Sequence, residues 1–348
     1  MIIAMRQIAK HIDSTDAPDP LRRVMTLHQR IDKVIVLRVK KTGAVCEYER
    51  ASIVDFDSDK ATQYLYRQGP PNGPGATPAA LITDIEKTFP KKVLAWFTSV
   101  PKWETDVLQN EEIGFVSDIG GALKTAESRV IKDVNGLLAS IDRSKGNTLL
   151  TIQINEDGEN YYLGESDVFV KLFLEFVKQS YYKKYGTTSK GHGVCYVCND
   201  EKEVYGFVTD IFSFYTLDKR GFAPGLDVSE GWKAFPVCFD CALALETAKQ
   251  YLDDNLLFNF YNAKYYLIPK SVTDSEDSLD EILSVFSEQD KGISVADDSG
   301  RLTTDEKEIL KYISSLSDSI VLNFLFYIME QSAMRILGYM EDVLPSRI

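Results

Sequence analysis

Four cysteines in two Cys-x-x-Cys pairs are the residues with the clearest chemistry. Cys195 and Cys198 form one pair, and Cys238 and Cys241 form the other. Two thiolates two residues apart bind one metal ion from a tight turn, and two such turns complete the tetrahedral sulfur site that zinc prefers. Because four sulfur ligands leave no position for water, we predict a structural zinc ion and not a catalytic one.

Other interpretations of these cysteines stay open on the sequence alone. The four thiols can remain reduced or form two disulfides, although nothing else in the chain suggests an oxidising compartment. His192 lies close to the first pair and is an alternative ligand, or simply a loop residue. The fifth cysteine, Cys46, stands alone in a strand-like segment and is expected to be a small core residue.

Cations and aromatic residues alternate just before the first cysteine pair. Lysines neutralise phosphates and tyrosines stack on bases, so this pattern is typical of a nucleic-acid surface. A charged helix end favoured by the helix dipole, with half-buried tyrosines, explains the same residues. A second cationic turn precedes Gly221 inside the spacer between the pairs. The predicted nucleic-acid contacts are Tyr182, Lys183, Lys184, Lys190, Lys219 and Arg220.

Recognisable catalytic patterns are absent from the sequence. The three histidines are scattered, and no His-Glu-x-x-His, Gly-x-Ser-x-Gly or phosphate-binding Gly-x-x-x-x-Gly-Lys-Ser motif occurs. Acidic pairs such as Glu47 and Glu49 are most simply outward-facing strand residues. A metal-dependent nuclease that assembles scattered acids, with a zinc-stabilised insertion, remains an alternative, as does a zinc-stabilised scaffold that binds only proteins.

Composition indicates a folded protein of the cytoplasm. The chain has 348 residues, 44% of them hydrophobic, and a formal net charge of −13. This charge argues against a uniformly basic nucleic-acid binder, although residues 171–199 are locally basic. The N-terminus lacks the features of a signal peptide, and the longest C-terminal apolar run is too short for the roughly 20 residues that span a bilayer.

Sequence periodicity predicts an α+β fold. The predicted strands are 33–39, 44–48, 148–155, 161–163, 264–269 (ended by Pro269) and, as the favoured alternative to a helix, 320–329. The predicted helices begin at Asp167 with Ser166 as N-cap, and cover 242–258, a short piece within 279–286, 303–315 and 330–343. Residues 69–75 predict an exposed loop. The predicted domains are a mixed N-terminal domain at 1–190, a zinc-binding insertion at 191–245 and an α+β segment at 246–348, with an acidic linker at about 271–300.

Several motifs resemble one protein family. The segment from Phe214 to Phe222 contains Asp-Lys-Arg-Gly-Phe, and Ala234 to Cys241 contains Phe-Pro-Val-Cys-Phe-Asp-Cys. In this order, and together with Leu256–Tyr261, Tyr265–Pro269 and Asp342–Arg347, they resemble the large subunit of the subtype I-B CRISPR surveillance complex, Cascade. The resemblance is strong from about Thr148 onward and weak before it.

This resemblance implies a non-catalytic, DNA-recognising subunit. Large subunits of this kind bind near the crRNA 5′ handle, recognise the protospacer-adjacent motif in duplex DNA and start strand separation, while base pairing reads the remaining sequence. The implied partners are the backbone and 5′-handle-binding subunits, the crRNA, the target double-stranded DNA and a recruited helicase-nuclease. Relatives usually continue beyond Pro-Ser-Arg, so the chain is expected to be a truncated or divided form at Ile348.

Overall fold

The computed structural model describes most of the chain. The described residues are 1–15, 20–25, 30–69, 73–100, 107–142, 144–184, 186–212, 217, 220–260, 262–272, 279–280, 282–283, 320–330 and 333–345. They belong to two compact units, one of residues 19–179 and one that joins 1–18 to 180–348. Each unit contains helices and sheets, which confirms the α+β fold class. The three predicted domain ranges stay a prediction.

Helices and strands alternate along the described residues. The helices are α1 (Ile2–Thr15), α2 (Pro20–Val24), α3 (Ala61–Tyr64), α4 (Ile85–Thr88), α5 (Ala95–Ser99), α6 (Asn110–Thr125), α7 (Glu127–Leu138), α8 (Asp167–Ser180) and α9 (Phe239–Asn255). The strands are β1 (Ile31–Thr42), β2 (Val45–Asp55), β3 (Ala80–Leu81), β4 (Asn147–Glu156), β5 (Glu159–Tyr162), β6 (Lys183–Lys184), β7 (Thr187–Thr188), β8 (Lys190–Val194), β9 (Glu201–Tyr205), β10 (Leu257–Phe260), β11 (Ala263–Ser271), β12 (Ile320–Glu330) and β13 (Ala333–Val343).

The unit of residues 19–179 is built on a five-stranded sheet. Its order is β2-β1-β4-β3, with β5 paired to β4, and β1 runs antiparallel to β2 and parallel to β4. One face packs on α6 and α7, where the Tyr48 hydroxyl donates to Asp133 at 2.9 Å. The other face buries Val34, Val36 and Leu149 under Tyr64. Both predicted hairpins are confirmed, because β1 pairs with β2 and β4 pairs with β5.

The helix predicted after Ser166 is also confirmed as α8. Its buried residues are Phe169, Leu172, Phe173 and Val177, at the helical spacing seen in the sequence. Phe169 stacks on the fully buried Trp96, with ring centroids 5.8 Å apart. The loop predicted at 69–75 is half-buried where it is described, so the expectation of exposure was wrong. Trp96 contributes to this, because its indole N–H donates to the Ala76 carbonyl at 3.2 Å and holds the segment down.

The second unit contains a four-stranded antiparallel sheet in the order β10-β11-β12-β13, with α1 and α9 against β11. The strand predicted at 320–329 is confirmed as β12, but the helix predicted at 330–343 is wrong, because Glu330 ends β12 and Ala333–Val343 form β13. Ile320 to Leu325 are all buried, so the backbone groups of β12 need partners along both edges. β11 pairs with one edge of β12 and β13 pairs with the other. This pairing outweighs the helical propensity of the residues that form β13.

Two boundaries in this unit differ from the prediction. The helix expected to reach residue 258 ends at Asn255, because Leu257 to Phe260 pair with β11. β11 itself continues past Pro269 to Ser271, since Pro269 pairs with Leu322 in register. The predicted helix at 303–315 lies outside the described residues. Of the predicted piece at 279–286, the described residues 279–280 and 282–283 are helical.

Candidate metal centre and neighbouring surface

The first cysteine pair lies in the turn between β8 and β9. The backbone N–H of Cys195 donates to the Asp200 carbonyl at 2.9 Å, and that of Asn199 donates to the Cys195 carbonyl at 2.9 Å. Asn199 adopts a left-handed conformation with φ of +63°, which asparagine tolerates better than most residues. The turn folds back tightly enough to bring the Cys198 thiol toward the buried Cys195.

The second pair lies at the start of α9. Cys238 is the residue before the helix and Cys241 lies in its first turn. The preceding residues are held against the first pair by backbone hydrogen bonds. The Tyr196 N–H donates to the Pro236 carbonyl at 2.8 Å, and the Tyr205 N–H to the Val237 carbonyl at 3.0 Å. A short strand-like crossing therefore brings together two turns that are 40 residues apart in sequence.

The four sulfur atoms form one compact cluster. All lie within 4.8 Å of one another, and the Sγ atoms of Cys198 and Cys238 are 3.9 Å apart. Sulfurs about 2.3 Å from a central zinc ion lie roughly 3.8 Å apart in a tetrahedron, so these residues fit a metal site of that geometry. Cys195, Cys238 and Cys241 are buried and Cys198 is half-buried. The predicted ligand set is therefore brought together, and the identity of the metal is a proposal.

The cluster favours one negative charge even without metal. A hydrogen bond from the Cys241 thiol, assisted by the Cys241 backbone N–H, lowers the pKa of Cys238 to about 5 although burial opposes this. That same hydrogen bond, together with burial, raises the pKa of Cys241. Burial likewise raises the pKa of Cys198. Cys238 is thus the first sulfur prepared to act as a thiolate ligand.

Two cations stabilise the surroundings of the cluster. The Lys202 ammonium lies 3.1 Å from Asp200, and this hydrogen bond, with the negative charge of Cys238, raises the pKa of Lys202. Arg6 of α1 donates from Nη1 to the Val197 carbonyl at 2.9 Å. The carbonyl lies between the two ligands of the first pair. Helix α1 therefore supports the metal turn directly.

Neither His192 nor Cys46 belongs to the cluster of four sulfur atoms. His192 is exposed on β8 and its Nδ1 lies 3.7 Å from Glu201. Cys46 lies on β2 in the other unit and is half-buried, so the expectation of a core residue was wrong. Partial burial still raises the pKa of the Cys46 thiol. Among the described residues, three or more potential metal-binding side chains come together only at the four cysteines.

The predicted cationic positions lie on two hairpins beside the metal centre. Lys183 is exposed and Lys184 half-buried on β6, which pairs with β7. Lys190 begins β8, where its ammonium is 2.8 Å from Glu203 and 4.7 Å from the centre of the Tyr182 ring. Tyr182 is only 7% exposed and packs on Tyr205, which leaves little of its ring for stacking on a base. Their roles in nucleic-acid binding stay a prediction.

The second predicted cationic turn is described only in part. Lys219 lies outside the described residues. Arg220 begins a short helical turn that continues to Phe222, and only its backbone is described. Leu217, which precedes this turn, is fully buried against Phe207 and Ala223. The neighbourhood of the turn is thus anchored to the unit that holds the metal centre.

One structural contact beside the site was missed by the sequence analysis. The Trp232 indole lies on the glycine-rich strand β8, where a Cβ on Gly191 would be 2.4 Å from the ring. The buried Ser189 hydroxyl accepts from the backbone N–H of Trp232 and donates to the Ser229 carbonyl, both at 3.1 Å. Alternating glycines in a strand, Gly191 and Gly193, are the sequence signal for such a close approach.

Fold and site together define a two-unit α+β protein with four clustered cysteines whose geometry fits a metal ion. Comparison with protein families matched residues 1–175 to the N-terminal domain of CRISPR-associated protein TM1802 (cas_TM1802). Residues 192–343 matched the central domain of the same protein. The chain therefore belongs to the CRISPR-associated TM1802 family, the Cas8-type large-subunit family of type I-B. This confirms the resemblance seen in the motifs and extends it to the N-terminal residues.

A search of curated proteins found no match to the chain. Among the described residues, every helix is too short or too polar to cross a lipid bilayer.

Proposed function

We propose that this chain is the non-catalytic large subunit of a type I-B Cascade complex. In this role it recognises the protospacer-adjacent motif in target duplex DNA and promotes strand separation during antiviral defence. Its partners are the backbone and 5′-handle-binding subunits, the crRNA, the target duplex and a helicase-nuclease that performs the cleavage. Family membership supports the CRISPR role, and the structure around the metal centre supports the contact with DNA.

One observation carries the DNA-binding part of this proposal: the hairpin that holds the first cysteine pair in its turn is joined at its other end to the hairpin that carries Lys183 and Lys184. The metal turn connects β8 to β9, and the Ser189 N–H at the start of β8 donates to the Tyr182 carbonyl at 2.8 Å. This bond joins the β8–β9 hairpin to the β6–β7 hairpin, which carries Lys183 and Lys184. Metal binding in the turn orders the β8–β9 hairpin, to which the hairpin with those lysines is hydrogen-bonded.

The metal is proposed to be a structural zinc ion. Four thiolates are the ligand set of structural zinc sites, and metal bound in such sites contributes on the order of 10 kcal/mol to local folding. Hydrogen bonds within the chain then position the hairpins, and lysines that contact DNA phosphates displace the counterions bound there. No reaction is assigned to the metal centre.

The decisive experiment compares assembled complexes with and without this chain. Duplexes with a matched target and randomised flanking bases are incubated with each complex, and the bound fraction is sequenced. We expect a flanking-motif preference only when the chain is present. An equal preference without the chain would overturn the proposal.

A second assay addresses the enzymatic alternative. The isolated chain is incubated with end-labelled duplex and single-stranded DNA in magnesium or manganese. We expect the DNA to stay intact, because cleavage is assigned to the recruited partner. Metal-dependent cleavage that co-purifies with the chain would instead identify a nuclease.

A further inference from the structure

The turn that holds the first cysteine pair carries exposed apolar side chains. Val194 and Tyr196 lie on either side of the buried Cys195, and they are 57% and 62% exposed. The Tyr196 ring lies against the half-buried Phe235, with ring centroids 5.5 Å apart. We call Val194, Tyr196 and Phe235 the tip of the metal turn.

The backbone beneath this tip is held from two sides. The Tyr196 N–H donates to the Pro236 carbonyl at 2.8 Å, and the Arg6 guanidinium donates to the Val197 carbonyl at 2.9 Å. An aromatic side chain that stays exposed on a fixed backbone is already ordered, so a partner that binds it pays less conformational entropy. Tyrosine is also among the residues that contribute most to the affinity of protein–protein interfaces.

Exposed carboxylates lie next to the tip. Glu201 is directly opposite Val194 in the β8–β9 register. Asp200 and Asp240 are both exposed, and their carboxylates lie 3.1 and 3.9 Å from the Lys202 ammonium. Since Asp240 belongs to the first turn of α9, the acidic groups come from both segments that supply the sulfur atoms.

The electrostatic potential at the tip is therefore negative. Within the described residues, the lysine and arginine that act on these three carboxylates are Lys202 and Arg6. A bound zinc ion would not reverse the sign, because four thiolates outweigh the charge of one divalent ion. Such a surface repels phosphates and attracts the lysines and arginines of a protein. The tip is thus unsuited to a nucleic acid.

We propose that the tip of the metal turn binds a protein partner that presents an apolar pocket surrounded by lysines or arginines. This inference rests on the proposed function and assigns a partner to one end of the β8–β9 hairpin. A protein that binds crRNA carries cationic side chains, because RNA is a polyanion. Of the partners in the proposed function, a crRNA-binding subunit therefore fits the tip. The hairpin then contacts protein at its metal turn, while the lysine hairpin bonded to its other end contacts DNA.

The test measures binding of the full chain to the preassembled remainder of the complex, which contains the other subunits and the crRNA but no target DNA. Biolayer interferometry gives association and dissociation rates at low and high salt for wild type, Tyr196→Ser, Val194→Ser and Glu201→Lys. Val45→Ser is the matched apolar control, because Val45 is 58% exposed beside the β1–β2 turn of the other unit. Asp254→Lys is the charge control, because it reverses an exposed charge at the far end of α9. Metal content and thermal unfolding are recorded for every variant.

Tyr196→Ser is expected to weaken binding about tenfold, and Val194→Ser about two- to fivefold, because each removes apolar contact from the interface. Glu201→Lys should slow association about three- to tenfold at low salt. This difference should shrink at high salt, because salt screens the attraction between the carboxylates and the cationic partner. Both control variants should bind as wild type does.

The outcomes separate this inference from the proposed function. Absence of wild-type binding to the remainder would overturn both. Wild-type binding that the three tip variants leave unchanged, or that the controls reduce equally, would overturn the inference alone. Faster association of Glu201→Lys would also overturn it, because the tip would then face a nucleic acid. If Tyr196→Ser loses its metal or melts at a lower temperature, Val194→Ser and Glu201→Lys decide the question, since both change exposed side chains of regular strands.

Discussion

Arg6 and Val197 are 191 residues apart in the chain, yet the Arg6 guanidinium donates to the Val197 carbonyl at 2.9 Å. The acceptor lies between Cys195 and Cys198, so a residue of the first helix supports the turn that supplies two sulfur ligands. A charged donor strengthens such a hydrogen bond, and loss of the donor leaves a part-buried carbonyl without it.

Replacement of Arg6 by leucine is expected to destabilise the unit by about 1 kcal/mol and to lower the melting temperature by roughly 2–4 °C. Release of zinc to a chromogenic chelator should also be faster, because the turn opens more often. Arg335→Leu is the control, since Arg335 is an exposed arginine paired with Glu330 at 2.8 Å in the same unit. Equal zinc-release rates in the two variants would refute this support role.

Substitution Cys238→Ser is expected to abolish stoichiometric metal binding. Serine is a poor zinc ligand, and Cys238 lies within 4.8 Å of the other three sulfurs. Metal content measured by inductively coupled plasma mass spectrometry should fall toward zero, and limited proteolysis should cut the β8–β9 hairpin faster. Cys46→Ser, which changes the cysteine outside the cluster, should retain the metal. If Cys238→Ser keeps its zinc and also its DNA binding, the structural role proposed for the site is wrong.

The contact between Gly191 and Trp232 provides a test of packing beside the metal turn. A methyl group on Gly191 would lie 2.4 Å from the indole, so Gly191→Ala should displace the tryptophan and cost about 1–3 kcal/mol. Gly136→Ala is the matched control, because the exposed Gly136 of α7 has no atom within 4 Å of its ideal Cβ. That change should stabilise the protein by about 0.5–1 kcal/mol. Denaturant unfolding measures both changes, and equal effects would contradict the packing argument.

Glu156 provides a prediction for pH dependence. Hydrogen bonds from the Lys41 ammonium at 2.6 Å and from the Tyr161 hydroxyl at 2.7 Å lower the pKa of this carboxylate. A lowered pKa in the folded state stabilises the protein above the unfolded pKa, and this contribution is lost as the pH falls through the folded value. Glu156→Gln should therefore lower the melting temperature at pH 7, and the difference from wild type should shrink below about pH 4. A difference that is constant with pH would contradict the ionic origin.

The double variant Lys183→Gln/Lys184→Gln tests the cationic hairpin. In the assembled complex it should weaken duplex binding by a similar factor for all flanking sequences, and the salt slope should fall by as much as about 1.8 if both lysines contact phosphates. The double variant Lys124→Gln/Lys171→Gln removes two exposed, ion-paired lysines from the other unit and should have little effect. Filter binding at several salt concentrations measures both. An unchanged slope in the first variant would remove these lysines from the interface.

Local sequence determined the elements whose signals are strong and short in range. β-branched runs with a Gly turn predicted the β1–β2 hairpin, and Asp157-Gly158 predicted the β4–β5 hairpin, because few residues adopt positive φ at a tight turn. Spacing alone indicated the four metal ligands, since two Cys-x-x-Cys turns have few other uses. Motif order also identified the family, which the comparisons confirm.

Only the tertiary structure decided the features that depend on distant partners. Residues 333–343 have helical propensity, but the buried strand β12 requires a hydrogen-bonding neighbour, so they form β13. The sequence predicts that Tyr182 stacks on a base, but in the structure this residue packs against Tyr205 and Lys190 and is only 7% exposed. Lys202 lies near both Asp200 and Asp240 because the start of α9 packs against the first cysteine pair, which joins residues that no local pattern connects. Long-range pairing and burial therefore decided which predicted side chains remain at the surface.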